Sequence, residues 1–298
     1  MKQIQYHLAN RGKESDTMVF APYPFAGNDG NTGARYDELA NRSGYDLLAA
    51  HTPGTGSLNV VRGIVQPLPK QQEELAAWAL RQAEVLRQND EFIARPNRVG
   101  LGDSGRAMGV MLMAIMAHKG GILGADGGPL FTHVLTRDGV NFRAPEPARH
   151  GARRLLQQAA IYDEGRSDRV TVEQRQSRLS QVYTLGCAVT EMLSYRRAMC
   201  KSLTPIAASV ALAECPSIPF HQVGLGRGIS GTPTQMEVFH KALNHARDEA
   251  WQKAEAGELI APVLTTFEPT WGHGDLMDPQ AAANHLQQTL ALEVSLKN

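Results

Sequence analysis

Two side chains able to share a proton stand far apart in this chain. Ser104 is the middle of "GDSGR" (102–106), and His273 sits between glycines in "WGHGDL" (271–276). A serine hydroxyl becomes an effective nucleophile when an imidazole takes its proton, because the unperturbed pKa of imidazole lies nearest neutrality. Ser104 stands where the strand-like "RVGLGD" gives way to the helix-like "AMGVMLMAIMA". In so sharp a bend a hydroxyl is exposed, and the helix N-terminus faces any negative charge that develops beside it. Read in isolation, the same serine is an ordinary N-cap and the same histidine an exposed loop residue.

The elements that would have to position them follow a regular alternation. "IQYHL" (4–8) alternates apolar and polar residues as a half-buried strand does, and "TMVFAP" (17–22) reads as a buried strand ending at a proline. "ARYDELANRSG" is a short helix stopped by Gly44, and "YDLLAAHTPGTGS" (45–57) a strand entering a glycine-rich loop. In "PKQQEELAAWALRQAEVLRQN" (69–89), Leu75, Trp78, Leu80, Ala83, Val85 and Leu86 form one helical stripe, with glutamates early and arginines late. The serine turn comes next. "GGILGADGGPLF" (120–131) then reads as a short buried strand closed by Asp126 and two glycines.

Residues 132–200 change character. Two arginine-rich helical stretches carry no strand signal, and Thr171 with Gln174 can form a capping box. The rhythm resumes with "TPIAASVALAEC" as a helix and "IPFHQVG" (218–224) as a strand. A helix with Pro233 near its start follows, then "ELIAPVLTTFEP" as the last strand and "DPQAAANHLQQTLAL" as a helix capped by Asp278. Strand and helix in alternation predict an α/β protein with a parallel sheet covered on both faces. The expected organisation is a core of residues 1–131 and 201–298 interrupted by a helical insertion over 132–200.

This order, a serine turn in the middle of the first α/β half and a histidine loop after the final strand, resembles the α/β-hydrolase fold. In that fold the nucleophile follows the fifth strand and the general base the eighth. The resemblance covers most of the chain and implies a mostly parallel, doubly wound sheet with residues 132–200 as a cap. "MVFAPYPFAG" looks like the third strand and oxyanion loop, and residues 45–57 like the fourth strand and its loop, with His51 where an aspartate is usual. Ser104 matches the nucleophile of the G-x-S-x-G elbow, although Arg106 replaces the small residue two places on; Ala107 and Gly109 keep their neighbourhood small.

The resemblance also implies an acid, usually after the seventh strand, where "VGLGRGISGTP" has no carboxylate. Some members place it after the sixth, which here points to Asp126; Asp126 is otherwise an Asx-turn residue. Glu268 in "FEPTWGHG" is the fallback, and a serine–histidine pair without an acid stays open. Gly105, at the helix start, supplies one oxyanion N–H, and the resemblance assigns the second to Phe25, since Pro22 and Pro24 have none. Tyr23, standing where a histidine is common, and Arg106 are candidates for the substrate pocket.

Several other function classes are excluded or disfavoured. The chain of 298 residues carries 30 basic and 30 acidic side chains, so no net field draws it to nucleic acid or an anionic membrane. Its 42% hydrophobic and 20% charged residues are those of a soluble globular protein. Cys187, Cys200 and Cys215 are too few and too widely spaced for a disulfide framework or a zinc cluster. The first residues lack the apolar run of a signal peptide, which leads to the expectation of a cytoplasmic protein. His221, His240 and His245 do not share a metal-binding face, and "HTPGTGS" and "VGLGRGIS" lack the P-loop lysine. No cofactor and no metal are therefore expected.

"Gly-Asp-Ser-Gly" also occurs in chymotrypsin-like proteases, but there the serine lies in an all-β fold with its histidine and aspartate before it. The leading expectation is a serine hydrolase that cleaves a small ester, thioester or amide through an acyl-Ser104 intermediate. Two alternatives stand beside it: an inactive hydrolase-fold binding or assembly module, and an acyl transferase or lyase on the same scaffold. The partner is a small acyl substrate, and assembly into a homo-oligomer is left open.

Overall fold

Along β2 (Thr17–Pro22) every side chain is buried, and successive residues enter different cores. Met18 and Phe20 join Val110, Phe131, Val134 and Phe220 on one face, while Val19 and Ala21 join Leu47, Val99, Leu101 and Leu135 on the other. A continuous apolar run does this only in a strand covered on both sides. The computed structural model describes residues 5–9, 15–22, 29–50, 68–103, 107–138, 217–227, 233–272, 275–276 and 278–296.

The main sheet has seven strands in the order β1-β3-β2-β4-β5-β6-β8. These are β1 (Gln5–His7), β2, β3 (Asp46–Ala50), β4 (Asn97–Asp103), β5 (His133–Arg137), β6 (Phe220–Arg227) and β8 (Val263–Gly272). β1 pairs antiparallel to β3, and every other pairing is parallel. Helices α2 (Leu68–Arg87), α4 (Ala107–Lys119) and α5 (Pro233–Lys253) pack on one face, bringing Ala83, Met113 and Leu243 into its core. Helices α1 (Asp29–Ser43) and α6 (Pro279–Leu290) cover the other through Leu39, Ala40, Ala283 and Leu286. The short α3 (Asp90–Ile93) is capped by the Asn89 side chain and inserts Phe92 beside Phe131.

Local rules account for most boundaries. Gly44, at φ 75°, ends α1 and donates its N–H to the Ala40 carbonyl, the glycine stop expected from sequence. Asp278 caps α6 by accepting from the Gln280 N–H at 2.9 Å, with Pro279 in the first turn. Gly100 lets α4 cross close over β4, because a Cβ there would meet the Val110 methyl at 2.6 Å.

Two expectations are corrected. Residues 120–131 are not a strand of the sheet: Gly121 and Gly127 take positive φ, and the segment forms one isolated bridge, Leu123 to Pro129. Its apolar residues Ile122, Leu130 and Phe131 fill the core from a turn. The strand lies later, at β5, inside the stretch expected to open the cap. The core therefore runs at least to Asp138, and residues 139–200, like "TPIAASVALAEC", lie outside the described residues. The misreading has a physical cause: Thr136 and Arg137 are polar yet buried, so the apolar pattern of β5 is truncated.

The final strand is also divided. β7 (Leu259–Ile260) pairs with β9 (Ser295–Leu296), Pro262 intervenes, and β8 runs on as far as Gly272. Pro269 is tolerated because β8 is an edge strand, and Gly226 opposite it is required, since a Cβ there would collide with the Pro269 carbonyl.

Candidate active site

Because β4, β5, β6 and β8 are parallel, their last residues share one edge of the sheet. That edge holds Asp103, Arg137, Arg227 and Gly272. Ser104 is bonded to Asp103 and His273 to Gly272, so chain connectivity alone brings both segments to this edge. Ser104, Gly105, Arg106 and His273 themselves, with Tyr23 and Phe25, lie outside the described residues.

One side chain joins the two segments. Arg137 is 2% exposed; its Nε donates to Asp103 Oδ1 and its Nη2 to Asp103 Oδ2, both at 2.8 Å. The same Nη2 donates to the Leu276 carbonyl at 3.0 Å. One nitrogen thus touches the residue before Ser104 and a residue three places after His273. Charge-assisted, bidentate pairing of this kind fixes orientation as well as distance. Leu276 is itself buried among the α1 and α6 side chains.

The residue after Arg137 is equally constrained. Asp138 is 1% exposed, holds φ 51° and donates its N–H to the Val223 carbonyl at 2.9 Å. A left-handed backbone is uncommon for a residue with a Cβ, although aspartate tolerates it better than most. On the other side of the sheet's carboxyl edge, the Tyr36 hydroxyl donates to the Pro22 carbonyl at 3.0 Å and fixes the end of β2, the last described residue before Tyr23 and Phe25 in the chain.

Asp126 is elsewhere. Both its oxygens accept from Arg98 Nη2, at 2.9 and 3.1 Å, and Arg98 lies near the start of β4. Asp103 is five residues further on, about 16 Å along an extended strand. Asp126 therefore stands at the amino edge and is not placed to orient a base at the carboxyl edge. Burial works against its charge, but the Gly128 N–H and the Arg98 guanidinium outweigh it and hold the carboxyl below its ordinary range. Glu268, the fallback acid, lies on β8 with Oε1 3.7 Å from His285 Nε2.

A buried polar cluster that sequence reasoning missed fills the α6 face beside Arg137. Thr289 donates its hydroxyl to the His285 carbonyl at 2.7 Å, so its oxygen accepts from His221 Nδ1 at 2.9 Å. His221 Nε2 then accepts from the Thr266 hydroxyl at 3.0 Å. That tautomer, assigned from the network, is the neutral one. Burial pushes both His221 and His285 down to about 4, with the Arg137 charge adding to the effect at His285. The signal was present as the i, i+4 pair His285 and Thr289 on the apolar face of α6.

No family model matches the sequence, and no curated protein matches it closely. Solved structures do match over nearly the full chain. A lipase-esterase related protein from Clostridium acetobutylicum is 12% identical, with a TM-score of 0.52, covering 96% of this chain and 99% of that one. An esterase from Thermogutta terrifontis is 12% identical at a TM-score of 0.53, covering 97% and 92%. A bromoperoxidase from Bacillus anthracis is 12% identical at 0.50, covering 96% and 93%. The chain has the α/β-hydrolase fold.

Within the α/β-hydrolase fold, β2 and β3 take the places of the third and fourth strands, β4 and β5 the fifth and sixth, and β6 and β8 the seventh and eighth. Asp138 directly follows the strand in the sixth place, and Asp126 precedes that strand. "RDGV" carried the signal, because Asp-Gly marks a turn as strongly there as in "ADGG". The proteins named bear esterase and bromoperoxidase names, so the α/β-hydrolase fold does not by itself select a reaction. Among the described residues, no three His, Cys, Asp or Glu side chains could hold a metal ion, and no helix is long and apolar enough to cross a membrane.

Proposed function

We propose that this protein is a serine hydrolase acting on a small ester, thioester or amide. Ser104 attacks the carbonyl, His273 takes its proton and returns it to the leaving group, and water resolves the acyl-serine by the same route. Asp138, in the sixth-strand position, orients His273 and stabilises its protonated form. The N–H groups of Gly105 and Phe25 receive the oxyanion, and Tyr23, Arg106 and a cap over residues 139–200 shape the acyl pocket.

The observation that carries this reading is the Arg137 guanidinium, whose single Nη2 is hydrogen-bonded to both Asp103 and the Leu276 carbonyl. The α/β-hydrolase fold supports it, because β4 and β8, which precede Ser104 and His273 in the chain, end at the edge where ligands of open α/β sheets bind. The test is labelling of the folded chain with a fluorophosphonate probe. Covalent modification of Ser104 is expected, lost in Ser104→Ala and in His273→Ala. Native protein that stays unlabelled overturns the reading in favour of a binding module. Ester products formed in the presence of an added alcohol would indicate acyl transfer instead.

A further inference from the structure

We propose that Arg137 is a positioning residue: its guanidinium ties the strand end before Ser104 to the loop that carries His273, and so sets the separation of hydroxyl and imidazole. This rests on the serine hydrolase reading above. Three constraints converge on the dipeptide 137–138. The Arg137 fork holds both carboxylate oxygens of Asp103, Nη2 also holds the Leu276 carbonyl, and the next N–H in the chain holds the Val223 carbonyl on β6. The end of β4, the segment that holds Leu276 and strand β6 are thereby referred to one dipeptide at the end of β5.

The choice of side chain supports the inference. A lysine ammonium is a single point donor and cannot span both oxygens of Asp103 while reaching a third acceptor. Burying a guanidinium is costly even when paired, and apolar residues of similar volume often serve stability as well. What the arginine provides beyond packing is a planar, three-point register. Arg137 also contributes charge. The groups around it are Asp103 from β4, Asp138 beside it in the chain and His285 from α6, which is neutral above about 4. Without the guanidinium, the negative charge of Asp103, one residue from Ser104, would lose the positive charge that Arg137 sets against it, favouring a protonated imidazole at His273.

The experiment uses the full chain and compares the unsubstituted protein with Arg137→Gln, Arg137→Lys and the double variant Asp103→Asn/Arg137→Gln. Fluorophosphonate labelling rate, kcat and KM on p-nitrophenyl butyrate, the pH profile of kcat/KM and the thermal midpoint are read for each. A misplacement of the order of 1 Å costs about a hundredfold in rate, so Arg137→Gln should lose about that factor in kcat. Its KM should stay nearly unchanged, and the acidic limb of its kcat/KM profile should move to higher pH.

Arg137→Lys, which keeps the charge and loses the fork, should retain the pH profile with a kcat about tenfold low, a smaller loss of the same geometric kind. The double variant, which removes both charges, should bring the profile back toward that of the unsubstituted protein. An Arg137→Gln protein that folds and labels as fast as the unsubstituted chain overturns this proposal alone. So does a loss that tracks the folded fraction with an unmoved profile. Should Arg137→Gln fail to fold, an undiminished labelling rate in Arg137→Lys has the same force. An unlabelled native chain overturns the serine hydrolase reading, and this proposal with it.

Discussion

The sheet carries a buried arginine at each end, and the two do different work. At the amino edge, the side-chain nitrogens of Arg98 are all engaged, by the carbonyls of Leu130, Arg95 and Pro129 and by Asp126. At the carboxyl edge, Arg137 holds Asp103 and Leu276, while its Nη1 has no hydrogen-bond partner among the described residues. Asp126 is 54% exposed and Asp103 18%. The amino-edge cation is thus engaged mainly by backbone and closes a turn, whereas the carboxyl-edge cation joins segments remote in sequence.

The largest effects are expected at the proposed reacting groups. Ser104→Ala and His273→Ala should each lower ester turnover by about ten thousandfold or more, with thermal midpoints nearly unchanged, as read by kinetics and calorimetry. Asp138→Asn should cost about a thousandfold or more in kcat, whereas Asp126→Asn should leave it within a few-fold; reversal of that ranking would return the acid to the amino edge. Arg98→Met should cost about 3 kcal/mol of stability, by leaving several buried carbonyls and a carboxylate without their donor. The folded fraction of that variant should keep its kcat, in contrast to Arg137→Gln.

A smaller effect concerns pH. His221 and His285 titrate near 4 in the folded chain, against an ordinary value of 6.5. Between those values the unfolded chain binds more protons, so stability should fall as pH drops through the window and be fully present above it. Urea unfolding from pH 7 to 4.5 measures this, and His285→Gln should shallow the slope. Smallest of all, Asp126→Asn should change stability by less than about 1 kcal/mol, because that carboxylate is half in water.

Much of the architecture was legible because it rests on local signals. The buried run of β2, the stripe of α2, the Gly44 stop and the Asp278 cap each depend on neighbours within a few residues. β5 was not legible for the opposite reason. Thr136 and Arg137 look like surface residues until their partners are known, and those partners, Gln222, Asp103 and Leu276, lie far along the chain. The same distance effect bears on the carboxylate expected after the sixth strand. Asp126 and Asp138 are both followed by glycine, and only the register of the strand between them separates a turn at one end of the sheet from a carboxylate at the other. The order of the serine and histidine segments along the chain carries information of its own, whereas the arginine between Asp103 and Leu276 has no such signature.

The left-handed backbone at Asp138 sets two demands against each other. Glycine would occupy that conformation more comfortably, and Asp138→Gly should gain a few tenths of a kcal/mol of backbone stability while discarding the carboxyl group. Selection for endurance at high temperature, applied without a requirement for turnover, would drift toward the smaller residue. A lineage that kept aspartate there would be one in which a working catalyst mattered more than a durable one.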